Sequence, residues 1–408
     1  MLEKKFDFHF VGDTQFDMSQ LDDDGMGQFM EEECANTNPP QHRPYKLSGG
    51  RSIMARKVVD ARYLQPDLPI HVPPKFKYNT DILNVVPVNT LADTQQTKHY
   101  VIIGAGKTGM DAIVHLIQQE HAIPDNILWI VPNEAWITAR ENIGSCLEFL
   151  HECTELQKKR DLANDNGRND AIESEDFFQR GFLEWEKKGK VYCFDKDIVP
   201  TKFKDATLSL DELELIKNVK RVVRDGRVES IDDNGTIHFV GGTSMSLPWP
   251  SSSPSDTTYV HCSAGAFNYS KQTKKPPPVF SPHRISLQDV YGTPGFCFVG
   301  SIIGKLESLG TQFTDDEKNA MCVVPTPDLS AAKLPLGPSG GDVGVISPSH
   351  GYVQRLSNLN KWLQVAEIRE WLPGHRLFNL RHYNTRDMDS LVEETLDVLE
   401  EYGVVGGR

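Results

Sequence analysis

The stretch HYVIIGAGKTGMDAIVHLIQ, residues 99–118, contains the most specific structural signal in this chain. Its first five residues are mostly apolar and partly β-branched, a pattern typical of a strand buried on both faces. A glycine-rich turn follows, and apolar residues then recur on one face of a predicted helix from Met110 to His121. A second buried strand is predicted at 127–131. This order of strand, turn, helix and strand predicts a β–α–β unit of an α/β protein.

The glycine-rich turn has the form G-x-G-x-x-G. It consists of Gly104, Ala105, Gly106, Lys107, Thr108 and Gly109. In dinucleotide-binding proteins the first glycine permits the tight turn, the second lets a pyrophosphate approach the backbone, and the third lets the helix pack closely on the strand. The helix N-terminus offers N–H groups and the positive end of its dipole to the phosphates. Since strands and a helix flank the motif as required, we predict that these residues bind NAD(P)H. A tightly packed turn that binds nothing is the structural alternative.

The same turn contains Gly106-Lys107-Thr108, which resembles the end of the NTPase phosphate-binding loop, G-x-x-x-x-G-K-[ST]. The first glycine of that motif would fall at Val101, inside the predicted strand. The match fails, so we do not predict an NTPase.

The choice between NAD and NADP depends on residues after the second strand, near Asn133 and Glu134. An acidic residue there binds the ribose 2′-OH and favours NAD, whereas a nearby Arg favours NADP. Glu134 and Arg140 are both present, so the sequence leaves this choice open. We predict Asn133 and Arg140 as cofactor-binding residues beside the glycine turn.

The composition narrows the classes of partner. The 408 residues carry 43 Lys and Arg against 57 Asp and Glu, so the formal net charge is −14. This acidic balance argues against binding to nucleic acid, which needs clustered Lys and Arg. The 7 cysteines form no C-x-x-C pair, so neither a metal site nor a dithiol redox pair is predicted. No apolar stretch suits a signal peptide or a membrane span, and we predict a cytoplasmic protein that binds small molecules.

Further elements are predicted on both sides of the β–α–β unit. Helices are predicted at 146–159, 173–188, 358–371 and 387–402, and strands at 51–59, 191–194, 259–262 and 295–300. Ser209-x-x-Glu212 has the form of a capping box at the start of another helix. Between 221 and 240, Asp225-Gly226 and Asn234-Gly235 separate short strands and favour hairpin turns, so an antiparallel meander is predicted.

Four stretches resemble a known group of proteins. They are Arg56–Pro69 (RKVVDARYLQPDLP), Val101–Ala112 (VIIGAGKTGMDA), Trp129–Arg140 (WIVPNEAWITAR) and Asp315–Cys322 (DDEKNAMC). The chain is similar, over about residues 45 to 375, to the NAD(P)H domain of flavoproteins with two dinucleotide-binding domains. Flavin-containing monooxygenases and pyridine nucleotide-disulfide oxidoreductases form the broad group, and a set of NAD(P)/FAD-binding oxidoreductases resembles the chain more closely.

The resemblance implies an α/β fold with a Rossmann-like NAD(P)-binding domain that carries the inserted meander. It divides the chain into a partial FAD-type domain and connector (1–95), the NAD(P)-binding domain (96–245), a return to the FAD-type domain (246–333), and a linker with C-terminal helices (334–408). It also implies that Gly295 to Gly304 lies near a flavin. The implied function is an oxidoreductase that transfers hydride from NAD(P)H to FAD, with monooxygenase-like chemistry as one form of it.

One departure from the group bears on this function. Its members carry an earlier G-x-G-x-x-G for FAD, and this sequence has a single fingerprint, at 104–109. We therefore expect either a shortened form that does not bind FAD in the usual way or an incomplete gene product. The alternative function is a non-catalytic dinucleotide-binding or interaction protein that has lost the FAD half. Neither the substrate nor the oligomeric state is predicted.

No catalytic residue is predicted with a defined role. Phe16 stands where the monooxygenase signature F-x-G-x-x-x-H has its histidine. Tyr192 and Lys196 have the Y-x-x-x-K spacing of short-chain dehydrogenases but lie on a predicted strand, where they do not share a helix face. Cys262 and Ser263 follow a strand, yet a lone Cys is usually a small core residue.

Other residues have a simpler interpretation. Cys146 and Cys153 do not have the spacing of a redox pair. Trp129 and Trp136 are expected to pack in the core rather than against an adenine. His261 and His283 have no partner at ligand spacing.

Overall fold

The computed structural model of the chain describes residues 43–47, 52–61, 68–163, 174–249, 254–263, 277–291, 296–324, 346–381 and 383–402. Phe16 and residues 334–345, at the start of the region predicted as a linker with C-terminal helices, lie outside the described residues.

The strands are β1 (Arg43–Lys46), β2 (Ser52–Ala55), β3 (Val58–Asp60), β4 (Asn84–Pro87), β5 (His99–Ile103), β6 (Ile127–Ile130), β7 (Ala135–Ala139), β8 (Val191–Tyr192), β9 (Lys202–Leu208), β10 (Arg221–Val223), β11 (Val228–Ile231), β12 (Ile237–Phe239), β13 (Ser244–Met245), β14 (Thr257–His261) and β15 (Arg284–Ser286). The helices are α1 (Lys107–Gln118), α2 (Cys146–Ala163), α3 (Ser174–Lys187), α4 (Leu210–Ile216), α5 (Phe296–Ser308), α6 (Asp315–Ala320), α7 (Ile346–Leu363), α8 (Ala366–Trp371) and α9 (Thr385–Glu401).

The chain forms two compact units. The first comprises Met1–Tyr63, Pro277–Gln288 and Ile303–Cys322, and the second comprises Leu64–Pro276, Asp289–Ile302 and Val323–Arg408. These boundaries differ from the predicted ones at 95 and 245, which fall inside the second unit. The reason is that β4 and β14, from outside the predicted domain, pair in the same sheet as β5.

A five-stranded parallel sheet forms the centre of the second unit, in the order β10-β6-β5-β14-β4. The predicted strand at 99–103 is β5, and all five of its residues are buried. Side chains of a strand alternate between its faces, so one face packs against α1 and α4 and the other against β11 and β12. Both faces are covered, and for that reason β6 is apolar throughout and β5 is apolar after its first residue, His99.

The predicted meander differs in part from the observed strands. β11, β12 and β13 form an antiparallel sheet, and Gly235 has a φ of 84° in the turn between the first two. β10, however, pairs in parallel with β6. Gly226 also has a positive φ of 103°, but its turn connects two sheets rather than two hairpin strands. The Asp-Gly dipeptide therefore predicted the backbone conformation and not the pairing.

The prediction of a strand at 295–300 is wrong. Phe296–Ser308 is the helix α5. The apolar run continues through Ile302, Ile303 and Leu306, all buried, and is too long for a typical strand.

Several observed strands were not predicted. Among them, β4 lies in the predicted connector, β7 directly follows the second strand of the β–α–β unit, and β9 precedes the capped helix α4. β7 pairs in parallel with β9 and antiparallel with β8. The predicted capping box is confirmed, with Ser209 and Glu212 bonded reciprocally.

Helices α2, α3, α7 and α9 pack on one another in the second unit. Aromatic rings fill the space between α2 and α3. The Phe149 ring lies 4.5 Å from that of Phe182 and 4.9 Å from that of Trp185. Among the described residues, no helix combines the length and apolar character needed to cross a membrane.

The first unit contains β1 paired antiparallel with β2 and β3 paired in parallel with β15. A cluster of charged side chains connects its segments. Glu307 accepts from Lys57 at 3.1 Å and from Lys318 at 3.2 Å, and Asp315 lies 3.2 Å from Lys57. The side chains of Lys57 and Lys318 are 8% and 4% exposed. Two nearly buried ammonium groups therefore depend on these two carboxylates.

We predict that Glu307→Gln lowers the free energy of unfolding by about 3 kcal/mol or more, because two buried cations lose a shared anionic partner. The matched control is Glu214→Gln, which removes the exposed partner of Lys217 and is expected to cost less than about 0.5 kcal/mol. Urea denaturation of the full chain measures both. Equal effects of the two substitutions would contradict the buried-cluster interpretation.

Candidate dinucleotide site

The glycine turn leads from β5 into α1, and its first residue has a conformation that favours glycine. Gly104 has a φ of 126°. A Cβ at this position would lie 2.8 Å from the carbonyl oxygen of Cys262, just after β14. The Gly104 amide donates to Ile130 at 3.2 Å, and the Trp129 indole N–H donates to the Gly104 carbonyl at 3.0 Å. Backbone contacts to both neighbouring strands thus fix the turn.

Gly109 is required by packing. A Cβ on Gly109 would overlap the carbonyl oxygen of Gly104, so α1 can lie this close to the turn only without a side chain at that position. This close approach is what the third glycine of the fingerprint was predicted to allow.

Gly106 is different from the other two glycines. Its φ is −82° and its ψ is 178°, an extended conformation open to any residue. Among the described residues, no atom lies within 4 Å of the position that its Cβ would occupy. Neither conformation nor internal packing explains a glycine at this position. What the missing side chain provides is open access to the backbone.

The helix α1 begins at Lys107, earlier than the predicted Met110, because Gly106 is its N-cap residue. The amides of Gly109 and Met110 both donate to the Gly106 carbonyl, at 3.0 and 3.1 Å. The amides of Lys107 and Thr108 have no acceptor within the helix, since the first turn has no preceding carbonyls. These N–H groups and the dipole of the 12-residue helix make its N-terminus attractive to an anion.

Glu134, one of the two residues that left the coenzyme choice open, is committed to the protein. Its side chain is 1% exposed. It accepts from the Phe194 amide at 2.9 Å and from the Arg224 guanidinium at 2.8 Å. A ribose hydroxyl would have to displace one of these donors from a buried carboxylate, which is costly. Asn133, the predicted neighbour, lies in the link between β6 and β7 and is partly buried.

Arg140 follows β7 and its side chain is 46% exposed. It forms an ion pair of 2.9 Å with Glu212, in the first turn of α4, which packs on α1. Lys107 pairs with Asp111 on α1. Burial raises the pKa of Glu212. The hydrogen bond from the Ser209 amide and the charges of Lys107 and Arg140 lower this pKa by more, so the net shift is downward. Two cations therefore lie close to one carboxylate beside the start of α1.

The structure keeps the other singled-out residues away from an exposed site. Trp129 and Trp136 are buried. Burial raises the pKa of the Cys146 thiol to about 11 and raises the pKa values of Cys153 and Cys262 further, so these thiols stay protonated at neutral pH.

The Tyr192–Lys196 pair is also unsuited to dehydrogenase chemistry. Tyr192 lies on β8 and donates to Glu141 at 3.2 Å, whereas Lys196 pairs with Glu186 at 2.5 Å. Among the described residues, no group of three or more His, Cys, Asp or Glu side chains is placed to hold a metal ion.

Sequence reasoning missed a hydrogen-bonded pair at the end of β14. Ser263 Oγ lies 3.1 Å from His261 Nδ1. The signal was available, because residues two apart on an extended segment point to the same side. The Ser263 backbone nitrogen lies 3.3 Å from the Cβ position of Gly104, so the pair adjoins the glycine turn.

Comparisons with known proteins give relatives without an assigned function. Over 324 residues the chain is 27% identical to an uncharacterized protein of Mycobacterium bovis and equally to uncharacterized proteins from two strains of Mycobacterium tuberculosis. The match covers 79% of this chain and 53% of each relative, so the chain spans about half the length of the curated relatives it matches. No model of a protein family matches the chain.

A solved structure with some similarity is L-lysine 6-monooxygenase from Pseudomonas syringae. The match has a TM-score of 0.31 and 9% sequence identity and covers 66% of each chain. A match with so low a TM-score supports no conclusion about the fold or chemistry of this chain.

Proposed function

We propose that the chain binds NADP(H) at the turn of residues 104–109, as the nicotinamide-binding part of a flavoprotein-type oxidoreductase. The observation that carries this proposal is Gly106. Its lack of a side chain has no explanation in φ or in packing, yet it opens the backbone at the N-terminus of α1. This is where the second glycine of a Rossmann-like fingerprint lets a pyrophosphate approach.

The position of the turn in the sheet supports the same proposal. From β5 the chain continues to β6 and β10 on one side, whereas β14 lies on the other side. Ligands of open parallel sheets bind beyond the carboxyl ends of the strands, where the strand order reverses. Residues 104–109 follow the carboxyl end of β5, the strand at this reversal.

The preference for NADP over NAD follows from the charges. The carboxylate of Glu134 already has two donors, so it is a poor partner for a ribose 2′-OH. Arg140 is half exposed, and Lys107 is in the first turn of α1. We infer that these two cations bind the 2′-phosphate, with Arg140 exchanging its contact with Glu212 for the phosphate.

The chemistry of the proposed enzyme belongs to its cofactors. A nicotinamide supplies hydride, and a flavin is the acceptor that the resemblance to two-domain flavoproteins implies. The described residues of the first unit contain no second glycine-rich turn between a strand and a helix, so they do not offer FAD the usual cradle. The role assigned to this chain is to bind the dinucleotide and orient its two halves.

The second candidate function is non-catalytic dinucleotide binding. The described residues of the first unit favour it, because they offer no glycine-rich turn between a strand and a helix for a second dinucleotide. Calorimetric titration of the full chain with FAD separates the two candidates, because tight FAD binding beside NADPH binding supports the oxidoreductase and the absence of FAD binding supports the alternative.

We predict that Gly106→Val abolishes NADPH binding in the same calorimetric assay, because the new side chain occupies the space proposed for the pyrophosphate. The fold should persist, since this position has open space and ordinary backbone angles. Gly374→Val is the matched control, because it also adds a side chain in open space, on the short helical turn Leu372–Gly374. Unchanged NADPH binding in Gly106→Val would contradict the site assignment.

We predict that Arg140→Ala weakens NADPH binding about ten-fold or more, through the loss of a charge-assisted contact, and leaves NADH binding within about two-fold. Arg221→Ala is the control. Arg221 begins β10, at the opposite end of the sheet strands, and donates to the Asp125 carbonyl. An equal loss of NADPH and NADH binding in Arg140→Ala would refute the proposed 2′-phosphate contact.

A further inference from the structure

His261, the last residue of β14, has both ring nitrogens in hydrogen bonds. The residue is 1% exposed, and Nε2 lies 3.1 Å from the Val72 carbonyl oxygen. A carbonyl can only accept, so Nε2 carries the proton. Burial lowers the pKa of the ring, which is therefore neutral at pH 7. In the neutral ring Nδ1 is an acceptor, and the tautomer is fixed by the contact with Val72.

The tautomer of His261 determines whether the Ser263 hydroxyl donates or accepts a hydrogen bond. Ser263 Oγ lies 3.1 Å from Nδ1 and must donate to it, because Nδ1 has no proton. A hydroxyl has one hydrogen and two acceptor lone pairs. The one hydrogen of Ser263 is used by His261, so toward a ligand the hydroxyl acts as an acceptor.

Ser263 lies on the side of the glycine turn away from Arg140. β14 neighbours β5 on one side, whereas β6, whose end leads toward Arg140, neighbours β5 on the other. The carbonyl oxygen of Cys262 and the nitrogen of Ser263 lie 2.8 and 3.3 Å from the Cβ position of Gly104. A dinucleotide whose adenosine half lies toward β6 and whose pyrophosphate lies at the turn would extend its other half toward β14.

The geometry points to Ser263 as a contact for the nicotinamide half of the dinucleotide, accepting a hydrogen bond from a ribose hydroxyl or from the carboxamide N–H. His261 is the positioning residue that keeps the Ser263 hydroxyl in this acceptor orientation. This assignment rests on the proposed function. A phosphate oxygen would be the wrong partner, since at neutral pH it also accepts and the Ser263 hydrogen is already used.

The test compares two probes on the full chain by calorimetry. NADPH contains both halves of the dinucleotide, whereas adenosine 2′,5′-bisphosphate contains only the adenosine half. We expect Ser263→Ala to weaken NADPH binding about three- to ten-fold, the effect of one neutral hydrogen bond, and to leave binding of the bisphosphate unchanged. Ser263→Thr keeps the hydroxyl and should bind NADPH as the unmodified chain does.

His261 is tested in the same assay. His261→Leu should weaken NADPH binding as Ser263→Ala does, and the double variant should show no further loss, because the two residues act through one contact. His261→Asn retains an acceptor and should bind NADPH more tightly than His261→Leu.

Two results would overturn the assignment while the proposed function stands. One is NADPH binding by Ser263→Ala equal to that of the unmodified chain, and the other is an equal loss for both probes, which indicates a structural role alone. If the unmodified chain binds neither probe, the proposed function fails and this assignment fails with it.

Discussion

The contact between the backbone of Gly109 and the carbonyl of Gly104 is the constraint on which the arrangement of the second unit depends. Any side chain at 109 would displace α1 from the end of β5. With the helix in place, its first turn lies directly after the carboxyl end of β5, and its apolar face covers β5 and β6. The hydrogen bond from Trp129 to Gly104 connects the same turn to β6. Tight packing thus determines the direction of the Lys107 and Thr108 amides, which are proposed to bind phosphate.

The three glycines of this turn have separable physical roles. Gly104 and Gly109 are explained by the protein's own backbone, through a positive φ or a close approach. Gly106 is explained by neither. A turn that only needed to pack tightly could hold a larger residue at 106, and this observation supports the proposed binding site. The charged residues near the turn differ in the same way. The carboxylate of Glu134 already accepts from two protein donors, whereas the side chain of Arg140 is half exposed.

The elements that could be predicted from the sequence are those with local signals. β6 is a continuous apolar run and β5 is mostly apolar, α1 has one apolar face, and Ser209 and Glu212 form a capping box within four residues. β7 was missed because it follows a Pro-Asn-Glu segment that favours a turn, although all its residues are buried. The strand predicted at 295–300 was wrong because an apolar run alone does not distinguish a strand from a buried helix.

The candidate site shows the same limit. The glycine turn has a local signature, but the partners of Glu134 and His261 come from distant positions. Arg224 is brought to Glu134 by the pairing of β10 with β6, and Val72 reaches His261 through the fold of the second unit. Tertiary structure alone shows that Glu134, which left the coenzyme choice open, is bound by protein donors, and that Ser263 pairs with His261 beside the turn.

The proposed site requires that a dinucleotide pyrophosphate bind the backbone at the start of α1. Hydrogen–deuterium exchange measured by mass spectrometry, with and without NADPH, can detect this contact. We expect slower exchange of the amides at 104–110 when NADPH is present, and no such change in Gly106→Val. NADPH binding that slows exchange elsewhere and leaves the amides at 104–110 unchanged would contradict it.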